Sequence, residues 1–275
     1  MTLDELLLAL APAGVHDLAF PSALLGAFRR KSITFCNGLT DETTQVYWFQ
    51  SASFTIDLRL PDGAATPLAE RQGWIGDTHW DAQGGELSWT VGHSYQRHNL
   101  WPEPARLAFI GNSVIEFAPS GAYVEDWRQL AIRGPLLGLR LIAIANAGTG
   151  EEHRADGGLI VAGDHMAFVL SRPPHLRDEW ESFETSLAIA GRTVTHSTQS
   201  ARYGEAIVPD SFDLAPDGSV RLTCKAHGTD WHLRLNVDAF VPDHVFSNSS
   251  PATPEAHAWL ERESAHLARN AARVI

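Results

Sequence analysis

The stretch Thr44–Leu60, TQVYWFQSASFTIDLRL, decides the fold. It is dense in β-branched and aromatic residues, which suit a pleated, half-buried surface, and parts of it alternate with a period of two. Phe54, Ile56 and Leu58 fall on one face, and Thr55, Asp57 and Arg59 on the other. The same grammar recurs in both directions. Strands are expected at 86–94, 105–110, 114–117, 122–130 and 136–145. After the loop AGTGEEHRADG they resume in LIVAGDHMAFVLS, SLAIAGRTVTHST, DSFDLAP, SVRLTCKAH and TDWHLRLNV.

Helix is expected only at the ends. Thr2 and Glu5 form a capping box ahead of Leu6, Leu7, Leu8 and Leu10. A second helical stretch is expected after Pro21, through Leu24, Leu25 and Phe28, closing on the cations Arg29, Arg30 and Lys31. Near the C-terminus, Thr253 and Pro254 give a helix start, and Trp259, Leu260, Leu267 and Ala271 lie near one stripe. Many short antiparallel strands at regular spacing indicate barrels or sandwiches, so the fold class expected is all-β.

Composition narrows the function. The 275 residues carry 21 Lys+Arg against 33 Asp+Glu, a formal charge of −12, which argues against binding a nucleic-acid backbone. With 44% hydrophobic and 20% charged residues the chain can bury a full core. No apolar run reaches the roughly 18 residues of a membrane span, and Asp4 and Glu5 sit where a signal peptide needs positive charge. Cys36 and Cys224 are far apart and outside any CxxC or zinc spacing, and read most simply as buried thiols. The expectation is a reduced, cytoplasmic protein with no cofactor and no bound metal.

An internal repeat suggests two similar halves. Ile115–Gly121, IEFAPSG, reads beside Phe212–Gly218, FDLAPDG, and each Pro-polar-Gly supplies a tight hairpin turn. The alternative is that two hairpins share a common turn. The division expected is a helical segment at 1–31, one barrel at 32–145, a second at 146–250 and a helix at 251–275, with Ala147–Gly150 as a linker between barrels.

The runs TTQVYWFQSASFTIDLRLP, ERQGWIGDTHW, ELSWTVGH and VIEFAPSGAYVEDWRQL together resemble the Hri-type fungal protein family and its bacterial relatives. The matching positions are Asp57 and Arg59, Trp74 to Gly76, Trp89, and Glu125, Trp127 and Arg128. The likeness covers roughly residues 32–130 and is looser beyond. It implies two tandem lipocalin-like (calycin) barrels and little specific chemistry.

Alternation places Trp89, Val91 and His93 on one strand face, and Tyr123, Glu125 and Trp127 on another. If both look inward, the lumen holds indoles, a phenol, an imidazole and a carboxylate, the composition of a ligand pocket. Arg59, Asp57 and Arg128 are the expected charge partners, since a carboxylate among aromatics must be paired. A structural plug in which Arg59 packs on Trp127 is the competing reading for those groups. His93 is the best-suited acid–base group, because imidazole titrates near neutral pH. His79 and His98 lie near it in sequence, yet no metal-binding pattern accompanies them.

The function expected is therefore binding of a small apolar or aromatic molecule, an anionic one included, in the first barrel. Tyr47, Trp74, Trp89 and Trp127 would supply apolar area, and Arg59, His93 and Glu125 orientation. Two alternatives stand beside it. One is an isomerase, lyase or cyclase that uses His93, Glu125 and Arg59 in the same cavity, and the other is an interaction module with filled barrels. Partners expected are the small molecule and, at most, a second copy in a homodimer, with neither nucleic acid nor membrane.

Overall fold

The structure is a computed structural model and describes residues 1–92, 103–171, 184–226, 228–246 and 254–271. The strand grammar of the sequence is realised as two antiparallel sheets. The first comprises β1 (Gly26–Phe35), β2 (Thr40–Asp41), β3 (Gln45–Gln50), β4 (Phe54–Leu60), β5 (Gln72–Asp81), β6 (Glu86–Val91), β7 (Ala105–Ile110), β8 (Ser113–Phe117) and β9 (Tyr123–Gln129). Eight of these run as a meander that closes when β9 pairs with β1, from Phe28↔Gln129 to Phe35↔Tyr123. Closure removes the free edges that an open sheet exposes. The short β2 pairs beside β3 along the far end of β1.

The second sheet comprises β10 (Arg133–Asn146), β11 (Glu152–His153), β12 (Gly157–Ala162), β13 (His165–Leu170), β14 (Glu184–Ala188), β15 (His196–Ser197), β16 (Phe212–Leu214), β17 (Val220–Ala226) and β18 (Thr229–Val245). Its order is β15-β14-β13-β12-β10-β18-β17-β16, and β11 pairs with β10. Among the described residues β15 and β16 do not pair, so this sheet has two edges.

A core joins the sheets. Ile160 and Ala162 of β12 pack with Phe54, Ile56 and Leu58 of β4, while Leu159 and Val161 point into a second cluster with Phe168, Leu170 and Leu233. Strands covered on both faces read as unbroken apolar runs, which is why LIVA and MAFVL show no alternation. The junction is also polar: Asp238 of β18 accepts from Ser51 Oγ at 2.5 Å and from the Ser53 amide at 3.0 Å, Arg71 donates to the carbonyls of Ser197 and Thr198, and Arg140 pairs with Asp77 at 3.2 Å.

Helix α1 (Leu3–Ala9) forms as its capping box predicts, with the Glu5 amide donating to Thr2 Oγ1 and the Thr2 amide to Glu5. It buries Leu3 and Leu6, and the amide of Phe212 donates to Met1 O at 3.0 Å, so the chain start lies along β16. Helix α2 (Pro254–Ala271) also forms; its expected cap, Thr253, lies outside the described residues, and Trp259 is half exposed.

Four expectations are corrected. The helix expected through Phe28 is strand β1, preceded by a single 3-10 turn at Ser22–Leu24. Gly26 has φ of +126°, which a helix cannot continue through, and a Cβ there would strike Gln129 and Phe246. The boundary expected at 145 falls inside the second sheet, because β10 pairs with β12 and β18 and not with the first barrel. Ala147–Gly150 is accordingly the β10–β11 hairpin, held by Asn146 Oδ1 accepting from the amides of Gly148 and Thr149, and the halves are joined at 130–132. Finally, Cys36 is exposed just past the end of β1, whereas Cys224 is half-buried.

The repeated turns take the same local form. Gly121 donates to Ala118 O at 2.8 Å and Gly218 to Ala215 O at 2.9 Å, with φ of 75° and 82° at the two glycines. Their places differ, however. The first joins the seventh and eighth strands of its meander; the second, β16 to β17, joins the sixth and seventh of the series β10, β12, β13, β14, β15, β16, β17, β18. The two turns share a local form and join different strand pairs in their sheets.

Candidate functional site

Inside the first barrel, inward positions of β3, β4, β5, β6, β8 and β9 surround a hollow. It is lined by Trp48, Asp57, Arg59, Trp74, Trp89, Glu103, Glu116, Tyr123, Glu125 and Trp127. The space open to a water-sized sphere is only about 20 Å³, room for one or two waters, and reaches about 420 Å³ when the mouth is counted.

The indoles form a connected wall. Trp48 meets Trp127 edge-on at 5.7 Å and Trp89 at 6.3 Å, and Trp89 meets Trp74 at 5.7 Å. On the far side of Trp48, Phe28 stacks at 4.8 Å. A polar layer at one end fixes these rings. Trp48 Nε1 donates to Gln50 and Thr55, Trp89 Nε1 donates to Thr55 Oγ1 at 3.1 Å, and Gln50 Nε2 donates to Thr78 Oγ1 at 2.9 Å. Gln50 and Thr55 are fully buried with these partners, so this end is a satisfied plug.

The other end carries charge. On β4, Asp57 accepts from Arg59 Nε at 2.8 Å. Across the closing seam, Arg30 of β1 donates through Nη1 to Glu125 of β9 at 2.7 Å, with both side chains about 5% exposed. Between them stands Glu116 of β8, which accepts from Trp127 Nε1 at 3.0 Å and from the Tyr123 hydroxyl at 3.5 Å. Glu116 and Glu125 are directly opposed in the β8–β9 ladder, and their carboxyls are in hydrogen-bonding contact.

Two carboxyls this close cannot both be ionised in a buried place. Burial first, and the negative charge of Glu125 second, hold Glu116 protonated well above the ordinary carboxylate range, against a weaker pull from Arg59 and Trp127. Burial together with Glu116 and Glu125 also raises the Tyr123 hydroxyl, which stays protonated. Burial works against the charge on Arg59, but Asp57 beside it more than compensates and keeps the guanidinium ionised. The result is a lumen holding two ion pairs, Glu103 bonded to Ser120, and one neutral carboxylic acid among indoles.

Of the residues expected at the site, Asp57, Arg59, Trp74, Trp89, Tyr123, Glu125 and Trp127 line the hollow. His93 lies outside the described residues, as does His98. Two expected residues do not contribute. Tyr47 points out of the barrel and its hydroxyl meets His196 Nε2 at 3.3 Å against the second sheet, because the inward parity of β3 belongs to Trp48 and Gln50. Arg128 alternates outward from Trp127, is 44% exposed and pairs with Asp126. His79 is on the surface, bonded to Thr90.

Sequence reasoning missed Trp48, Glu116, Glu103 and Arg30. Trp48 is one residue from Tyr47 and was lost with the parity of β3, which the unbroken run Val46–Gln50 does not reveal. Glu116 sits in the strand opposite Tyr123, Glu125 and Trp127, and alternation from Val114 would have turned it inward. Arg30 was hidden by the helical reading of β1.

Among the described residues no group of three or more His, Cys, Asp or Glu could hold a metal ion. No helix among them is long and apolar enough to cross a membrane. A second hollow of about 240 Å³ opens in the other sheet between Phe168, Leu170, Ile207 and Cys224, with the ion pair Arg202–Glu184 at 2.6 Å in its lining. No protein-family model, no curated protein and no solved structure matches the chain.

Proposed function

We propose that this protein binds a small molecule in the lumen of its first barrel, with an apolar or aromatic body against the indoles and a polar group at the carboxyl end. The observation that carries this reading is the buried set Asp57, Arg59, Glu116 and Glu125. A barrel that only needed filling would gain nothing from it, because desolvating charges costs more than packing apolar groups in the same volume. Clusters of strongly perturbed ionisable groups in a concave site mark functional places more often than structural ones. The small hollow favours a compact ligand, or one whose head alone enters while its body stays in the mouth.

The architecture is read in the same sense. The second sheet follows the strand order of the first, with its first and last strands, β10 and β18, paired and, among the described residues, no pairing between its fifth and sixth strands, β15 and β16. In the closed barrel that same seam, β6–β7, is held by two residue pairs only. This supports a pair of lipocalin-like barrels, the second opened at its weakest seam, in keeping with the resemblance of residues 32–130 to the Hri-type family.

A second reading, proton-transfer catalysis by an isomerase, lyase or cyclase, is favoured by one observation: Glu116, opposed to Glu125 in the β8–β9 ladder, is held protonated beside a second carboxyl that is paired with Arg30, a pair of acids in different surroundings. Titration of intrinsic tryptophan fluorescence with a panel of small apolar, aromatic and charged molecules tests the binding reading. Saturable quenching that is lost in Trp127→Phe supports it, and a flat response to the whole panel rejects it. Turnover abolished by Glu116→Gln or Glu125→Gln with binding retained would instead establish catalysis.

A further inference from the structure

The lumen holds more acids than its cations answer: Asp57, Glu103, Glu116 and Glu125 line it, against Arg59 in the lining and Arg30 behind Glu125. Arg59 is bonded to Asp57, Arg30 is shared between Glu125 and Asp41, and Glu103 accepts from Ser120, while among the described residues no ion pair within 4 Å joins a guanidinium or ammonium to Glu116, which Arg59 attracts only from farther off. Its partners are the indole N–H of Trp127, the Tyr123 hydroxyl and the carboxyl of Glu125. The rest of the wall is π-electron surface, which attracts cations across a ring face. A metal ion does not suit the site, since no metal-binding group of acids, histidines or cysteines occurs among the described residues. The size of the hollow, about 20 Å³, matches one or two waters, and therefore an –NH₃⁺ group better than a trimethylammonium.

We infer that the lumen takes the ammonium head of a primary amine, with Glu116 and Glu125 accepting its N–H groups and the body of the amine lying in the mouth. This rests on the reading of the first barrel as a ligand site. The exchange balances as one alkylammonium in and one proton out: the O–H bond of Glu116 breaks, its proton leaves to solvent, and the carboxylate that remains faces the ammonium. The groups that face Glu116 are Glu125 and Tyr123 of β9, Asp57 and Arg59 of β4, and Glu103 ahead of β7, with Arg30 of β1 acting through Glu125. Affinity then rises with pH by up to about tenfold per unit for as long as Glu116 is protonated in the free protein.

The test is isothermal titration calorimetry of the full chain at pH 7 with butylamine, 1-butanol, butyrate and butyltrimethylammonium. Repeating the butylamine titration in buffers of different ionisation enthalpy counts the protons released. Butylamine is expected to bind about tenfold or more tighter than the other three and to release close to one proton, and Glu116→Gln is expected to remove both the preference and the release. If that variant does not fold, the pH dependence of butylamine affinity in the unaltered protein gives the same answer. Equal or tighter binding of butanol, butyrate or the trimethylammonium, or an affinity independent of pH, overturns the amine assignment while leaving the ligand site standing. No binding of any of the four, with no fluorescence response to the wider panel, removes the ligand site itself.

Discussion

Glu116 and Glu125 face one another across adjacent strands of the first barrel, one carboxyl neutral and the other paired with Arg30. Like charges directly opposite in a ladder destabilise it, and the barrel avoids this by keeping a proton on Glu116.

That proton makes stability depend on pH. The folded state keeps a proton on Glu116 that the unfolded chain releases near the ordinary glutamate value of 4.5, so stability falls as pH rises above that value until Glu116 itself titrates. Glu116→Gln reproduces the neutral form. Urea denaturation between pH 5 and 8 is expected to show a falling slope in the unaltered protein, at most about 1.4 kcal/mol per unit, that flattens in the variant.

Removing Arg30 leaves Glu125 buried beside a second carboxyl. Arg30→Met is expected to lower stability by about 3 to 5 kcal/mol, measured by chemical denaturation. The double variant Arg30→Met/Glu125→Leu should recover most of the loss, since it removes the stranded charge as well. A double variant no more stable than the single one would mean that the ion pair itself, and not the isolated carboxylate, accounts for the loss.

His196 gives a slope of opposite sign. Burial beside Tyr47, assisted by the positive charge of Arg29, pushes its imidazole down to about 4. Between pH 6.5 and about 4 the unfolded chain therefore binds a proton that the folded one does not, and stability falls as pH falls. Over part of this range the Glu116 slope opposes it, so the two must be separated by variants. Thermal melts of His196→Phe are expected to be less acid-sensitive than those of the unaltered protein, and an unchanged acid slope would place the effect elsewhere.

Asp238 ties the two sheets together by accepting from Ser51 and from the backbone and side chain of Ser53. Asp238→Ala leaves Ser51 Oγ without its partner at the junction of the two sheets. A loss of about 1 to 3 kcal/mol is expected. Hydrogen exchange should quicken in the β3–β4 turn and in the middle of β18, with the far side of the barrel unchanged.

The strand content and the inward face of β9 were legible because alternation is a local signal: Tyr123, Glu125 and Trp127 follow it without interruption. The parity of β3 was not legible, because Val46 to Gln50 are all buried, some against the lumen and the rest against the second sheet, and a strand covered on both faces carries no alternation. The partner of Glu125 was hidden for a different reason. Arg30 reaches it only through closure of the barrel between β1 and β9, a contact 95 residues apart along the chain. The helical reading of β1 failed at Gly26, where a positive φ interrupts a pattern that Leu24, Leu25 and Phe28 would otherwise suit.

The central claim is that the first barrel's lumen is a binding site and not a filled core. Crystals soaked with a library of small fragments, primary amines included, test it most directly. Expected is ligand density bounded by Trp48, Trp89 and Trp127 with a polar atom within hydrogen-bonding distance of Glu116. A lumen that holds only water and its own side chains in every soak, while fragments settle elsewhere on the molecule, would contradict it.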